Sequence, residues 1–260
     1  MRLRALMVLA GAAALAAPIP GQVMTAAAQA PAAPTITPNI PPPPTSVGAG
    51  SIPEGFTRIF NGKDATGWHP SRTSHHGRTP SVTVKNGAMY ILQEPFGMGG
   101  VVLSDKQYGN FEFYVETDLR PGYNSGIFVR STEEASAYQI ELDALAGNGN
   151  PLGEMMNNLG RPDRTNFTPI ASVWKQGEWN AFRLRVEGAA PQITLWVNGA
   201  KIWEVKYPVN GRPDGATKGF IGLQYHFLTA MTPSSMVMPL TYNTPGVPLG
   251  FRNMAIKELP

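Results

Sequence analysis

Tyr138-Gln139-Ile140-Glu141-Leu142-Asp143 alternates apolar and polar side chains without a break. Successive side chains of a β-strand point to opposite faces, so Tyr138, Ile140 and Leu142 share one face and Gln139, Glu141 and Asp143 the other. A helix would spread the same residues around its circumference, whereas a half-buried strand needs this period of two. The segment therefore predicts an antiparallel sheet with an apolar side turned to a core and a polar side turned away.

The same period recurs on both sides of it. Strands are expected over 82–84, 89–92, 111–120, 125–130, 181–186, 192–197, 219–226 and 252–258. Asn198-Gly199 between Leu195-Trp196-Val197 and Lys201-Ile202-Trp203 is a two-residue hairpin signal, because both central positions of the favoured turn need positive φ. Short alternations broken by Asn-Gly, Gly-Asn and Pro-Gly pairs are the pattern of a sandwich or barrel. There is no long amphipathic helix pattern and no internal repeat, so the expected fold is all-β, a two-sheet antiparallel sandwich. Two stretches, 144–175 and 227–250, are rich in Gly, Asn, Met and Pro and carry no period; loops of this length are commonly functional.

The N-terminus has a different character. Arg2 and Arg4 precede an apolar run from Ala5 to Ala17, and Ala26, Ala27 and Ala28 offer a small-residue cleavage site, the three-part pattern of a signal peptide over 1–28. The run is short for a membrane span and is followed by Pro18, Pro20 and Gly21. Residues 29–53 are Pro- and Ala-rich, with Pro41 to Pro44 in succession, and read as an extended linker. The expectation is an exported, periplasmic or secreted protein whose folded domain occupies 54–260.

Composition excludes several classes. With no cysteine, disulfide staples, thiolate catalysis and cysteine-ligated metals are ruled out, and the domain must rest on an ordinary core. The formal net charge is +3, and losing Arg2 and Arg4 with the leader brings it to +1. Without a clustered basic stripe, neither nucleic acid nor an anionic membrane surface is an expected partner. Gly147-Asn148-Gly149 runs into Pro151 and lacks the Gly-Lys-Ser/Thr of a phosphate loop, and no Gly-x-Ser-x-Gly elbow is present.

What remains is the polar face. Glu141 and Asp143 stand two residues apart on one strand, roughly 6.5–7 Å, a spacing at which two carboxylates flank a sugar ring. The alternative for that face is simple solvation. Asn124 and Arg130 frame the neighbouring apolar pair Ile127 and Val129, while Gln224 and His226 alternate with Ile221, Leu223 and Tyr225. If the three strands are neighbours, Asn124, Arg130, Gln139, Glu141, Asp143, Gln224 and His226 floor one groove suited to carbohydrate. His226 suits proton transfer near neutral pH, with a structural role as its alternative. Among the tryptophans Trp174, set in a long loop, is the best candidate for stacking on a sugar, while the others are expected in packing roles. His69, His75 and His76 lie in a turn-rich segment without zinc-ligand spacing and are expected on a surface loop. A divalent cation held by oxygen ligands stays open, although the calcium-loop spacing is absent.

Several ordered motifs also resemble one family. Gly55-Phe56-Thr57-Arg58-Ile59-Phe60-Asn61-Gly62-Lys63-Asp64 with Gly67-Trp68, Tyr108-Gly109-Asn110-Phe111-Glu112, Asn124-Ser125-Gly126-Ile127-Phe128-Val129-Arg130 and Gly177-Glu178-Trp179-Asn180 are similar to its successive motifs. Gly219-Phe220-Ile221-Gly222-Leu223-Gln224 with His226, then Phe251-Arg252-Asn253-Met254 and Ile256-Lys257-Glu258-Leu259, resemble its closing strands. This is the domain once called domain of unknown function 1080, now described as 3-keto-disaccharide hydrolase. The resemblance implies a concanavalin-like jelly roll, a site on the concave sheet, and action on glycosides already oxidised at C3. For such a reaction the polar face offers Glu141, Asp143 and His226 as the expected catalytic groups and Asn124, Arg130, Gln139, Gln224 and Trp174 as the expected substrate-binding ones. A direct glycosidase using Glu141 and Asp143, or a non-catalytic carbohydrate-binding module, are the competing readings, since a fold does not fix a function. Two departures stand out: Gln139-Ile140-Glu141 replaces the usual Glu-x-Gln, and Tyr225 stands where an acid often precedes the final histidine.

Overall fold

The computed structural model describes residues 52–78, 80–93, 99–119, 123–143, 163–165, 170–226 and 248–260. The expected signal peptide 1–28, residues 29–51 of the expected linker and most of the two long loops lie outside the described residues. Everything described belongs to one unit, Ile36–Pro260.

The fold is an all-β, two-sheet antiparallel jelly-roll sandwich. The larger sheet has nine strands and runs β3 (Pro80–Lys85), β4 (Ala88–Gln93), β14 (Leu249–Glu258), β6 (Phe111–Thr117), β10 (Asn180–Glu187), β11 (Gln192–Val197), β12 (Ala200–Lys206), β9 (Asp163–Thr165), with β1 (Thr57–Arg58) paired to β14. The smaller has five, in the order β2 (Trp68–Pro70), β5 (Gly100–Tyr108), β13 (Gly219–Tyr225), β7 (Asn124–Ser131), β8 (Tyr138–Asp143). Strands distant in sequence thus lie side by side, and the three that carry the polar pattern, β13, β7 and β8, are consecutive neighbours.

Alternation decides which side chains enter the core. In β10, Phe182, Leu184 and Val186 are buried against the smaller sheet while Ala181, Arg183, Arg185 and Glu187 lie on the outer surface. Ile127, Val129, Tyr138, Ile140, Leu142, Ile221, Leu223 and Tyr225 meet them from the smaller sheet. Each large apolar side chain so buried contributes about 1.5–3 kcal/mol of transfer free energy. Outside, Glu112 is held between Arg183 (2.6 Å) and Arg185 (3.3 Å) in a cross-strand ion pair.

The outer face of the smaller sheet departs from the usual wet side. Every residue of β7 is buried, and Val101, Leu103, Phe128, Ala135 and Ala137 form a second apolar cluster on the face away from the main core. Gly222 leaves the room for it: a Cβ there would stand 2.9 Å from Val101 and 3.0 Å from Phe128. Beside this apolar patch, on the same face, sits the polar one.

Candidate functional site

β7 is the floor of the polar patch. Its register places Gly126 opposite Glu141, Phe128 opposite Gln139 and Asn124 opposite Asp143 on β8, and Phe128 opposite Gly222 on β13. Asn124, Gln139, Glu141 and Gln224 therefore share the outer face, and each is at least 96 % buried there. Gly126 makes their meeting possible, since a Cβ at that position would lie 2.8 Å from Gln139 Nε2 and 3.0 Å from Gln224 Oε1. The two glutamine side chains cross over β7 through the space a side chain would fill.

Glu141 is the centre of this group. Asn124 Nδ2 donates to its Oε1 at 2.7 Å and Gln139 Nε2 to its Oε2 at 3.0 Å. Two donors, one to each oxygen, are what an ionised, acceptor-only carboxylate requires when buried. Gln139 Nε2 also reaches Gln224 Oε1 at 3.2 Å, and Gln224 Nε2 lies 2.9 Å from His76 Nδ1. His226 follows the last residue of β13, and its backbone N–H donates to Asn124 O at 3.3 Å, extending the β13–β7 ladder by one bond. The histidine is partly buried beside the same asparagine that holds Glu141.

His76 was expected on a surface loop, and the structure corrects this. Residues 71–78 arch over the outer face: Ser71 Oγ donates to Glu133 O at 2.5 Å, Arg72 N to Glu133 Oε1 at 3.1 Å, and Arg78 bridges to Gly100. Ser74 N donates to Ser71 Oγ and His76 N to Ser74 Oγ, which tightens the turn. The His76 ring is thereby set edge-on to Phe128 (5.3 Å between centroids), with exposed His75 stacked on it at 3.9 Å. Burial, then the neighbouring His75 and His226, hold its pKa down to about 3, so the ring is neutral at any ordinary pH. The clue available in sequence was the His75-His76 pair itself; the contact with Glu133 that folds the segment back spans too many residues for local spacing to reveal.

Three other expectations fare differently. Arg130 is buried, but its guanidinium donates to Gly109 O (3.0 Å), Gly188 O (2.8 Å) and Asn110 Oδ1 (3.1 Å), away from Glu141. The reason is a bulge: Phe220 pairs with Ser131 and Gly222 with Phe128, leaving an extra residue on β7, and Arg130 takes φ +50°. Its side chain leaves the face that simple alternation assigns it and clamps turns at the end of the sandwich. Trp174 is likewise not at the polar patch; it packs on the main core, edge-to-face with Phe182 at 6.2 Å. Tyr225 points into the core beside Tyr123, so the position that often carries an acid faces away from the site. The backbone of Asp143 sits opposite Asn124, and its side chain lies outside what is described.

His69, also expected on the loop, belongs to β2 and contacts a different pair of acids, Asp105 at 2.6 Å and Glu133 at 3.1 Å. Burial works against its protonation, but the two carboxylates outweigh it and raise its pKa. Among the described residues no group of three or more His, Asp or Glu side chains is arranged to hold a metal ion, and no helix is long and apolar enough to cross a membrane.

The model of the 3-keto-alpha-glucoside-1,2-lyase-like domain matches residues 55–257. The chain belongs to this family. Membership makes it a carbohydrate-active domain. Solved structures share the sandwich. A glycosidic hydrolase matches with a TM-score of 0.50 at 14% identity over 76% of this chain and 93% of its own. A proposed glycosyl hydrolase from Parabacteroides distasonis ATCC 8503 matches at 0.47 and 22% identity, over 74% of this chain and 99% of that one. The carbohydrate binding module CBM66 from Bacillus subtilis matches at 0.46 and 12% identity, over 75% and 98%. Among curated proteins none matches.

Proposed function

We propose that this lyase-like domain cleaves the glycosidic bond of 3-keto-glycosides by acid–base chemistry on the outer face of its five-stranded sheet. The observation that carries the reading is Glu141, buried, gripped by Asn124 and Gln139, and set in the same patch as His226. A ketone at C3 acidifies the hydrogen on C2. A positioned base takes that proton, the electron pair forms the enolate, and collapse of the enolate makes the C1–C2 double bond as the C1–oxygen bond breaks. The leaving oxygen takes a proton from the acid, and addition of water across the new double bond completes a net hydrolysis. Glu141 and His226 are the acid–base pair of this scheme, with Asp143, two residues further along β8, as a second carboxylate.

Arg130 has no part in it, because its donors are committed to the turns they join. Asn124 and Gln139 act on Glu141 rather than on sugar hydroxyls, since their amide nitrogens already donate to it. The leader pattern at 1–28 supports an exported protein, which N-terminal sequencing of the protein recovered outside the cytoplasm tests directly.

The experiment for the reaction is product release, followed by mass spectrometry, from matched glycosides with and without the C3 ketone. The mature protein is expected to cleave only the ketone form, and Glu141→Gln to lose about 10²–10⁴ of that rate. Cleavage of the unoxidised glycoside indicates a direct glycosidase using a carboxylate pair; tight binding of sugars without any cleavage indicates a binding module.

A further inference from the structure

The hydrogen bonds that join Glu141 to His76 all run in one sense. A carboxylate only accepts, so Gln139 turns its nitrogen to Glu141 Oε2, and the same nitrogen meets Gln224 Oε1. With its oxygen engaged there, Gln224 turns its own nitrogen to His76 Nδ1 at 2.9 Å. An amide nitrogen donates, so Nδ1 accepts, and the single proton of a neutral imidazole lies on Nε2. That Nε2 is buried and has no hydrogen-bond partner among the described residues. A buried donor without an acceptor costs about 1–3 kcal/mol. An unsatisfied buried group in a native fold calls for an explanation, and a catalytic role is one of the few that account for it.

We propose that His76 is a further catalytic residue of the reaction proposed above, donating Nε2–H to the oxygen at C3 of the sugar, first as ketone and then as enolate. The proposal rests on that reading of the reaction. The C2 proton goes to the base, negative charge accumulates on the C3 oxygen, and Nε2–H meets it there. As the C1–oxygen bond breaks the ketone reforms, and His76 keeps its proton throughout. A neutral imidazole of low basicity suits this task, because it stabilises the enolate without surrendering a proton to it. The hydrogen bonds that run from Glu141 through the two glutamines set the tautomer of His76, so one member of the acid–base pair also orients the donor. In the free protein Nε2 is closed to solvent, and the sugar reaches it by displacing side chains packed on the ring, among them exposed His75, held by one bond from its Nδ1 to Glu134 O at 3.2 Å.

Two measurements test this. Imidazole nitrogen NMR of the full mature protein is expected to show His76 as the Nε2–H tautomer between pH 7 and pH 4, and Gln224→Leu is expected to release that preference. Steady-state kinetics on a 3-keto-glycoside are expected to show kcat reduced about 10²–10³-fold in His76→Ala and His76→Asn, with KM nearly unchanged. His76→Gln, whose amide nitrogen extends to about the position of Nε2, is expected to recover at least tenfold over His76→Asn. An Nδ1–H tautomer, equal rates for the Asn and Gln variants, or a loss carried by KM overturns the proposal. A wild-type protein inert on 3-keto-glycosides overturns the reaction and this role with it, whereas an active wild type with a fully active His76→Ala overturns this role alone.

Discussion

Asn124 Nδ2 donates to Glu141 Oε1 at 2.7 Å, from a buried position on the strand beside it. Replacing Asn124 with Asp sets a second carboxylate against Glu141 and removes a donor. Like charges this close cannot both stay ionised, so one carboxyl is pushed up in pKa. The expected result for Asn124→Asp is a fall of about 10²-fold in kcat/KM on 3-keto-glycosides at pH 7, partly recovered toward lower pH, read from the pH–rate profile. Asn124→Ala lacks the repulsion, and its profile is expected to keep the wild-type shape at a lower rate.

Gly126→Ala tests the crossing of Gln139 and Gln224. The added Cβ stands 2.8 Å from Gln139 Nε2 and 2.9 Å from Phe128 Cε1, so the side chains must give way. Overpacking of this kind destabilises by about 1–3 kcal/mol. Denaturant unfolding is expected to show that loss, together with reduced turnover of the folded fraction.

Arg130 separates a structural arginine from a catalytic one. Arg130→Ala strands the carbonyls of Gly109 and Gly188 and the side chain of Asn110, and is expected to lower stability by about 2–4 kcal/mol. At a temperature where the variant is folded, kcat on a 3-keto-glycoside is expected to stay within about threefold of wild type, as for a residue outside the substrate's reach. A loss of several hundredfold in the folded variant would return Arg130 to the reaction.

The pH dependence of stability follows from His76 and His69, with opposite signs. His76 is held neutral with a folded pKa of about 3, against the 6.5 of an unperturbed histidine. Between those values the unfolded chain binds more protons, so its contribution is present above pH 6.5 and is lost as pH falls toward 3. His69 is raised, so its contribution is present below about pH 6.5, its unfolded pKa, and is lost as pH rises through the folded one. Denaturant midpoints across pH 4–9 are expected to show a shallower acid slope in His76→Gln and a smaller loss toward alkaline pH in His69→Gln.

How far the sequence reaches can be seen strand by strand. The alternation of 138–143 and 192–197 corresponds to β8 and β11 at their full extent, and Asn198 and Gly199 take the positive φ values, 50° and 87°, that their turn demands. β5 is absent from the expected strands because Gly100-Val101-Val102-Leu103 is buried on both faces and shows no period. On the polar face, Asn124, Gln139, Glu141 and Gln224 come together because strict alternation holds along β7, β8 and β13 up to the bulge. At the bulge the rule fails, and Arg130 leaves the site. His76 enters by a route that no period encodes, a turn pinned by Ser71 and Glu133 across the sheet.

The proposed reaction requires the C2–hydrogen bond to break before the glycosidic bond is replaced. Running the reaction on a 3-keto-glycoside in deuterium oxide, stopping it early by reducing the ketone, and reading the released sugar by mass spectrometry tests this most directly. One solvent deuteron is expected at C2 of a hydrated product, or an unsaturated product without a hydrogen at C2, above the exchange seen without protein. A released sugar that keeps its original C2 hydrogen contradicts the elimination and indicates direct displacement at C1.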